Sequence, residues 1–146
     1  MVVIKDGGLK LLQISDDGCG IHASDLPILC HRHTTSKLVK YTDLASIGTL
    51  GFRGEALCSV SFVSRLSVTT MRPGQAHAWK ASFRDSEILP PGAQPTAGVP
   101  GTSIVVEDLF YNVPNRRNSL SGSNEEYGRI FDVVARYAVY CDSTYQ

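Results

Sequence analysis

The stretch Gly51-Phe52-Arg53-Gly54-Glu55-Ala56-Leu57 places two glycines around a loop that runs into an apolar helix, predicted over residues 55–63. A loop of this kind points free backbone N–H groups, and the positive end of the helix dipole, at an anion. No Gly-Lys-Ser/Thr follows, so this is not a Walker A loop. The stretch indicates a phosphate-binding loop, although Arg53 and Glu55 could equally form a surface ion pair.

A second signal lies upstream, where Asp16-Asp17-Gly18-Cys19-Gly20 follows an apolar strand. A carboxylate at the end of a strand can accept a hydrogen bond from an amino group on a base. The two glycines would let the backbone approach a flat ring closely. Asp-Gly turns are also common in ordinary loops, so this motif alone favours a plain turn.

Two further motifs are weaker by themselves. Thr34-Thr35-Ser36-Lys37 offers hydroxyls and an ammonium group, which suit phosphate oxygens, but a solvated loop is the commoner explanation. Gly101-Thr102 opens a β-branched strand that leads to Asp108-Leu109-Phe110-Tyr111-Asn112-Val113-Pro114. This segment is either a core strand with a turn or a strand that sets the Thr102 hydroxyl beside a nucleotide.

The order of elements predicts a two-layer α/β sandwich. A hairpin is expected over residues 2–4 and 9–14, turning at Asp6-Gly7-Gly8, and further strands over Arg65–Met71 and residues 77–83, 87–89 and 102–106. Short helices are expected from Asp25, capped by Ser24, and over residues 43–47, capped by Thr42, with loops over residues 31–41 and 90–101. Short connections favour an antiparallel or mixed sheet with helices on one face.

The last helix has the clearest local signature. Ser123 and Glu126 fit a capping box. Apolar residues then recur at helical spacing, namely Tyr127, Ile130, Phe131, Val134, Tyr137 and Ala138. Such a stripe is usually core packing, and we expect it to be so here.

Composition excludes several classes of protein. The 146 residues are 42% hydrophobic and 19% charged with a formal net charge of zero, which is typical of one globular domain and not of a polycation. No two of the four cysteines form a C-x-x-C pair, so we expect reduced thiols and no zinc site. No apolar run is long enough for a membrane span.

The four motifs, in this order and spacing, resemble the nucleotide-binding domain of the gyrase, Hsp90, histidine-kinase and MutL (GHKL) superfamily. The words Gly-Phe-Arg-Gly-Glu-Ala-Leu and Asp-Leu-Phe-Tyr-Asn-Val-Pro resemble the MutL family of DNA mismatch-repair ATPases. The helix that begins Glu125-Glu126-Tyr127-Gly128-Arg129-Ile130 is similar to the eukaryotic MutL homologue 1 branch.

The resemblance implies an α+β fold of the GHKL type, with ATP held between helices and a lid. It implies that Asp16 accepts from the adenine amino group, with Gly18 and Gly20 beside the base and Thr102 near it. Thr35, Ser36 and Lys37 correspond to nucleotide-contacting lid residues. Five residues correspond to the loop and helix start that wrap the phosphates in the family: Arg53, Gly54, Glu55, Ala56 and Leu57.

In the family, a helix upstream of the first hairpin carries a glutamate that activates water and an asparagine that binds Mg²⁺. A following domain supplies a lysine to the γ-phosphate. We therefore expect residues 1–146 to be a partial domain with no catalytic or metal-binding residue of its own, and Glu55 is not expected to substitute. Without that helix, one sheet face should lie open, leaving the chain poorly soluble or weak in nucleotide binding.

The resemblance implies a nuclear protein whose ATP-driven dimerisation with a second MutL-type subunit clamps DNA, in repair with MutS-type proteins. Arg116 and Arg117 are weak local candidates for DNA contact, since a basic pair is more often simply solvated. Two alternatives stay open: a non-catalytic scaffold paralogue, and another GHKL ATPase such as a chaperone or topoisomerase subunit.

Overall fold

The computed structural model describes residues 1–34 and 54–140 of the chain. Within them, seven strands form one antiparallel sheet in the order β1-β2-β7-β3-β4-β5, and β6 also pairs with β4. The strands are β1 (Val2–Lys5), β2 (Leu11–Asp16), β3 (Arg65–Met71), β4 (Ala78–Arg84), β5 (Glu87–Ile88), β6 (Gln94–Thr96) and β7 (Gly101–Glu107). The α-helices are α1 (Ala56–Val63), α2 (Pro114–Asn118) and α3 (Ser123–Tyr140), and 3₁₀ helices occur at Asp6–Gly8 and Ala23–Ile28.

The sheet has one apolar face, because alternate residues of each strand point to the same side. Val68 of β3 is fully buried between Ala81 of β4 and Ile104 of β7. The α1 helix and the Ala23–Ile28 helix cover this face, and a continuous cluster is buried between the layers: Leu26, Cys30, Leu66, Val68, Ala81, Phe83 and Val106. The predicted α+β sandwich, with helices over one face of a mainly antiparallel sheet, is confirmed.

The apolar face is less well covered toward β1 and β2. Val2 pairs with Ile14 in the predicted hairpin, and their exposed fractions are 37% and 49%. On the same face but one strand further in, Val106 is only 7% exposed. The core is therefore centred under β3, β4 and β7, and the hairpin side of the face is the more exposed.

Two local predictions are wrong in detail. Ser24 does not cap the first short helix: it lies inside a 3₁₀ helix whose N-cap is His22, and the His22 imidazole accepts from the Ser24 N–H group at 3.4 Å. Residues 90–101 are not entirely loop, because β6 forms there and pairs with β4. A three-residue strand at a sheet edge tolerates Pro95, which needs no ladder donor on its solvent side.

The apolar stripe of α3 is not core, which corrects the expectation for the last helix. Tyr127, Phe131 and Tyr137 are each more than half exposed, and only Ile130 and Val134 of the stripe are partly buried. The reason is where the helix lies: α3 packs on the Asp6–Gly8 turn at the rim of the sheet, where a Cβ on Gly8 would stand 3.1 Å from Ile130. Helical spacing identifies an apolar side but not what lies against it.

The predicted capping box of α3 also differs. The Glu126 carboxylate accepts from the backbone N–H group of Ser121 at 3.1 Å, two residues before the predicted partner Ser123. Glu126 also pairs with Arg129 at 2.9 Å. Among the described residues, no helix has the length and apolar character needed to cross a membrane.

Candidate functional site

Three side chains stand in a row across neighbouring strands at one end of the sheet. Asp16 of β2 is opposite Thr102 of β7, which is opposite Thr70 of β3. All three therefore point to the face that the helices cover. Burial increases along the row, from exposed Asp16 through Thr102 at 8% to Thr70 at 1% exposed. The row thus has an exposed carboxylate at one end and two buried threonines behind it.

The Asp16 carboxylate is held by two backbone donors. The N–H groups of Gly18 and Thr102 donate to the same oxygen, Oδ1, at 3.0 and 3.2 Å. Two N–H donors fix the orientation of a carboxylate. Both bonds that the described residues make to this side chain end on Oδ1. The other oxygen, Oδ2, can therefore accept a hydrogen bond from a ligand without disturbing the turn.

Thr70 is a member of the row that the sequence analysis missed. Its hydroxyl accepts from the Ile21 N–H group at 2.8 Å, donates to the Gly101 carbonyl at 3.2 Å and lies 3.1 Å from the Thr102 hydroxyl. It therefore ties the segment after the Asp-Gly turn to both central strands. The available signal was its place on the inward-facing side of the predicted strand Arg65–Met71.

The glycines of the Asp-Gly turn have different surroundings. Gly20 has a φ of +70°, and a Cβ there would overlap the Met71 carbonyl, so the turn lies tightly against the end of β3. A Cβ on Gly18 would approach Asp16 Oδ1 at 3.1 Å. Gly20 thus lets the turn lie against β3, and Gly18 lets it close around the carboxylate.

The loop before α1 is equally tight. Gly54 has a φ of +63°, and a Cβ there would overlap the backbone of Thr34. This contact brings the first residue of the Thr-Thr-Ser-Lys motif beside the start of α1. Glu55 is the N-cap of α1 without a side-chain cap bond, and its carboxylate lies 3.7 Å from the His33 imidazole. Ala56 is exposed and Leu57 packs partly on the core.

The direction of α1 follows from its connection to the sheet. Only Ser64 separates α1 from β3, so the helix folds back over the sheet. Its N-terminus is the end at which Gly54 lies against Thr34. The first N–H groups of a helix have no intrahelical partner. An anion at this end would meet them and the positive end of the helix dipole.

The Asp108-Leu109-Phe110-Tyr111-Asn112 segment closes the opposite end of α1. The Phe110 N–H group donates to the Val63 carbonyl at 2.6 Å, and the Asn112 side-chain amide donates to the Phe62 carbonyl at 2.8 Å. These bonds satisfy carbonyls at the C-terminus of the helix. The motif therefore positions α1, a role that neither explanation offered from the sequence had included.

Arg65 and Arg116 flank this segment and are engaged in it. Arg65 pairs with Asp108 at 3.2 Å, and the Arg116 guanidinium stacks over the Phe110 ring at 4.9 Å from its centroid. Arg116 thus has a structural partner, which weakens its standing as a DNA-contacting residue.

Four of the predicted site residues, Thr35, Ser36, Lys37 and Arg53, lie outside the described residues, as do the predicted helix over residues 43–47 and most of the loop over residues 31–41. Of the described ones, the structure brings together Asp16, Gly18, Gly20 and Thr102 at the sheet end. It places Gly54, Glu55, Ala56 and Leu57 together at the start of α1.

Other surface features lie away from this site. Two adjoining grooves of about 280 and 260 Å³ share Lys80, Ser82 and Leu89 and run along the opposite face of the sheet. In residues 1–34 and 54–140 no three His, Cys, Asp or Glu side chains cluster as metal ligands. Cys19, Cys30 and Cys58 are free thiols. Burial, and then the nearby Cys58, raise the pKa of Cys30 to about 12.

Comparison with known proteins finds many relatives. The chain is 51% identical to DNA mismatch repair protein MLH1 of Saccharomyces cerevisiae over 139 residues, which is 95% of the chain and 18% of that protein. It is 48% identical to the putative MutL protein homolog 1 of Schizosaccharomyces pombe, over 97% of the chain and 22% of the relative. It is 42% identical to DNA mismatch repair protein MutL of Pseudomonas putida, over 94% of the chain and 22% of the relative. No family model matches.

Solved structures share the fold. The N-terminal domain of a DNA repair protein superposes with a TM-score of 0.73 at 34% identity, over 94% of the chain and 40% of that structure. The Aquifex aeolicus MutL ATPase domain complexed with ADP has a TM-score of 0.67 at 24% identity, over 94% of the chain and 45% of that structure. The chain spans about a fifth of the length of the curated relatives it matches.

Proposed function

The chain belongs to the MutL family of DNA mismatch-repair proteins, and we propose that it forms the adenine-nucleotide-binding part of an N-terminal ATPase domain. The observation that carries this proposal is the Asp16 carboxylate, held on one oxygen by two backbone N–H groups and without a hydrogen bond from the described residues on the other. A base amino group is a donor that such a fixed acceptor would select.

We assign the base and the phosphates to the two ends of one site. Asp16 would accept from the adenine amino group, with Gly18, Gly20 and Thr102 around the base. The phosphates would meet the backbone at the start of α1, from Gly54 through Glu55, Ala56 and Leu57, with Arg53 contributing charge. Thr35, Ser36 and Lys37 would contact the nucleotide from the motif whose first residue, Thr34, lies against Gly54.

ATP fits these residues, which offer a fixed carboxylate to the base and a helix N-terminus to the phosphates. We propose, as the family resemblance implies, that the Mg²⁺ ligand and the water-activating glutamate come from a part of the protein outside residues 1–146. What these residues do is bind the base, orient it and hold the phosphates at a helix N-terminus.

For the whole protein, we propose a nuclear mismatch-repair protein whose ATP binding closes it with a second MutL-type subunit around DNA, in concert with MutS-type proteins. Closure would be a population shift, driven by tighter nucleotide binding in the closed state. The Saccharomyces cerevisiae and Schizosaccharomyces pombe relatives carry mismatch-repair or MutL names, which does not favour a chaperone or a topoisomerase subunit.

Calorimetric titration with ADP tests the assignment of Asp16. Asp16→Ala removes the carboxylate acceptor proposed for the amino group, so we expect ADP affinity to fall by about tenfold or more, as for a lost charge-assisted hydrogen bond. Asp17→Ala is the matched control, because Asp17 is the adjacent exposed carboxylate. Equal affinity of the Asp16 variant and the control for ADP would remove Asp16 from the site.

A further inference from the structure

We propose that Thr70 sets the base specificity of this site, by fixing the Thr102 hydroxyl as an acceptor toward the base. The inference rests on the proposed function, in which Asp16 and Thr102 stand beside an adenine. Thr70 does not touch the base. It is a positioning residue, 1% exposed, that acts through its hydrogen bonds to the neighbouring strand and turn.

The direction of the hydrogen bonds follows from counting protons. A threonine hydroxyl has one proton to donate and two lone pairs that accept. At Thr70, the contact with Ile21 uses the backbone N–H proton, and the contact with the Gly101 carbonyl has to use the Thr70 proton, since a carbonyl has none.

The remaining contact is the one between the two hydroxyls, at 3.1 Å. The single proton of Thr70 is directed at Gly101, so the proton in this contact has to come from Thr102. This is the one assignment that gives every contact a proton. Thr102 therefore donates its hydroxyl proton to Thr70 and presents only lone pairs to the rest of its surroundings.

The neighbouring donors are also used. The backbone N–H groups of Thr102 and Gly18 both donate to Asp16 Oδ1. The open end of the row therefore offers two kinds of acceptor, a carboxylate oxygen and a hydroxyl lone pair, and none of these residues has a donor left for a ligand. A 6-amino group with two N–H protons suits such a site, whereas a 6-oxo group would place its lone pairs against theirs.

Burial makes this arrangement depend on Thr70. Thr102 is 8% exposed, so water has little access from which to replace a lost partner. Without the Thr70 hydroxyl, Thr102 is free to turn its proton toward the ligand. An oxo group on the base would then find a donor where the native site has only acceptors.

The test compares ADP with inosine diphosphate, which carries an oxo group in place of the 6-amino group, in calorimetric titrations of the full chain. We expect the native chain to prefer ADP. In Thr70→Val, which has the same shape without the hydroxyl, we expect the preference for ADP to fall by about tenfold, the worth of one hydrogen bond to a buried group. Thr70→Ser keeps the hydroxyl and should retain the native preference.

The outcomes separate this inference from the proposed function. A native chain that binds neither nucleotide overturns both. A native chain that prefers ADP, with Thr70→Val weakening both nucleotides by the same factor, overturns the inference alone, because a merely structural role of Thr70 lowers affinity without changing the ratio.

A measurement on the native chain covers the case in which Thr70→Val does not fold. Hydroxyl protons of buried threonines can be observed by NMR, and a coupling across the hydrogen bond identifies the donor. We expect a coupling from the Thr70 hydroxyl proton to the Gly101 carbonyl carbon. A hydroxyl proton of Thr70 directed at Thr102, with no coupling to Gly101, would overturn the inference.

Discussion

Replacing Gly54 by alanine should add a steric clash to the cost of a left-handed backbone, and replacing Gly74 by alanine, the matched control, should carry the backbone cost alone. Gly54 and Gly74 both have left-handed backbone angles, with φ of +63° and +83°. A Cβ on Gly54 would overlap the backbone of Thr34, whereas one on Gly74 would meet nothing within 4 Å. The two substitutions therefore share the conformational cost and differ in the contact.

The magnitudes follow from these surroundings. Alanine in the left-handed region costs about 1–2 kcal/mol, and stiffening the unfolded chain returns about 0.4–1 kcal/mol. Gly74→Ala should therefore lower the free energy of unfolding by about 1 kcal/mol or less. Gly54→Ala should cost about 1–3 kcal/mol more, since the Thr34 backbone has to move as in an overpacked core.

Urea denaturation followed by circular dichroism measures both variants against the native chain. We expect the midpoint of Gly54→Ala to lie well below that of Gly74→Ala with an unchanged denaturant slope. In thermal unfolding the extra cost corresponds to roughly 3–12 °C, at about 3–4 °C per kcal/mol for a chain of this size. Equal losses in the two variants would refute the contact between Gly54 and Thr34.

The same pair of variants probes the phosphate end of the proposed site. Moving Thr34 away from Gly54 displaces the N–H groups that begin α1, so Gly54→Ala should weaken ADP more than adenosine. Gly74→Ala should change neither affinity. If adenosine and ADP weaken by the same factor in Gly54→Ala, the start of α1 does not hold the phosphates.

Three further outcomes are expected. Asn112→Ala should lower the free energy of unfolding by about 1 kcal/mol in urea titrations, since the Phe62 carbonyl loses its donor. Burial raises the pKa of Cys30 to about 12, so its thiol stays protonated in the folded chain at a pH where the unfolded thiol, with a pKa of about 9, has lost its proton. Stability should therefore be complete below about pH 9 and fall as the pH rises toward 12, and thiol reagents at pH 8 should modify exposed Cys19 before buried Cys30. Ile14→Thr should cost under about 1 kcal/mol and improve solubility, because Ile14 is 49% exposed.

Each of these has a control within the chain. Asn115→Ala changes an exposed asparagine without a side-chain hydrogen bond among the described residues, and an equal loss there would contradict the capping role of Asn112. Modification of Cys30 as fast as Cys19 in the folded chain would contradict the burial of Cys30. Val106→Ala, at 7% exposure, should cost about 2 kcal/mol, and a similar cost for Ile14→Thr would mean that the hairpin side of the face is covered in solution.

The sequence by itself determined the local elements and the family. Turn chemistry at Asp6-Gly7-Gly8 and alternation over Arg65–Met71 predicted the hairpin and the central strand, because both depend on residues close along the chain. The motif Gly-Phe-Arg-Gly-Glu-Ala-Leu indicated the MutL family and the beginning of α1 without any knowledge of the sheet.

Only the tertiary structure decided which residues distant in sequence contact one another. Asp16 and Thr102 are 86 residues apart, and Thr70 and Thr102 are 32 apart, so only the strand order β2-β7-β3 makes them one row. The same holds for Asn112, which reaches Phe62 across 50 residues. The stripe of α3 shows the converse: periodicity marks an apolar side, but burial depends on whether another element lies against it, which no local pattern contains.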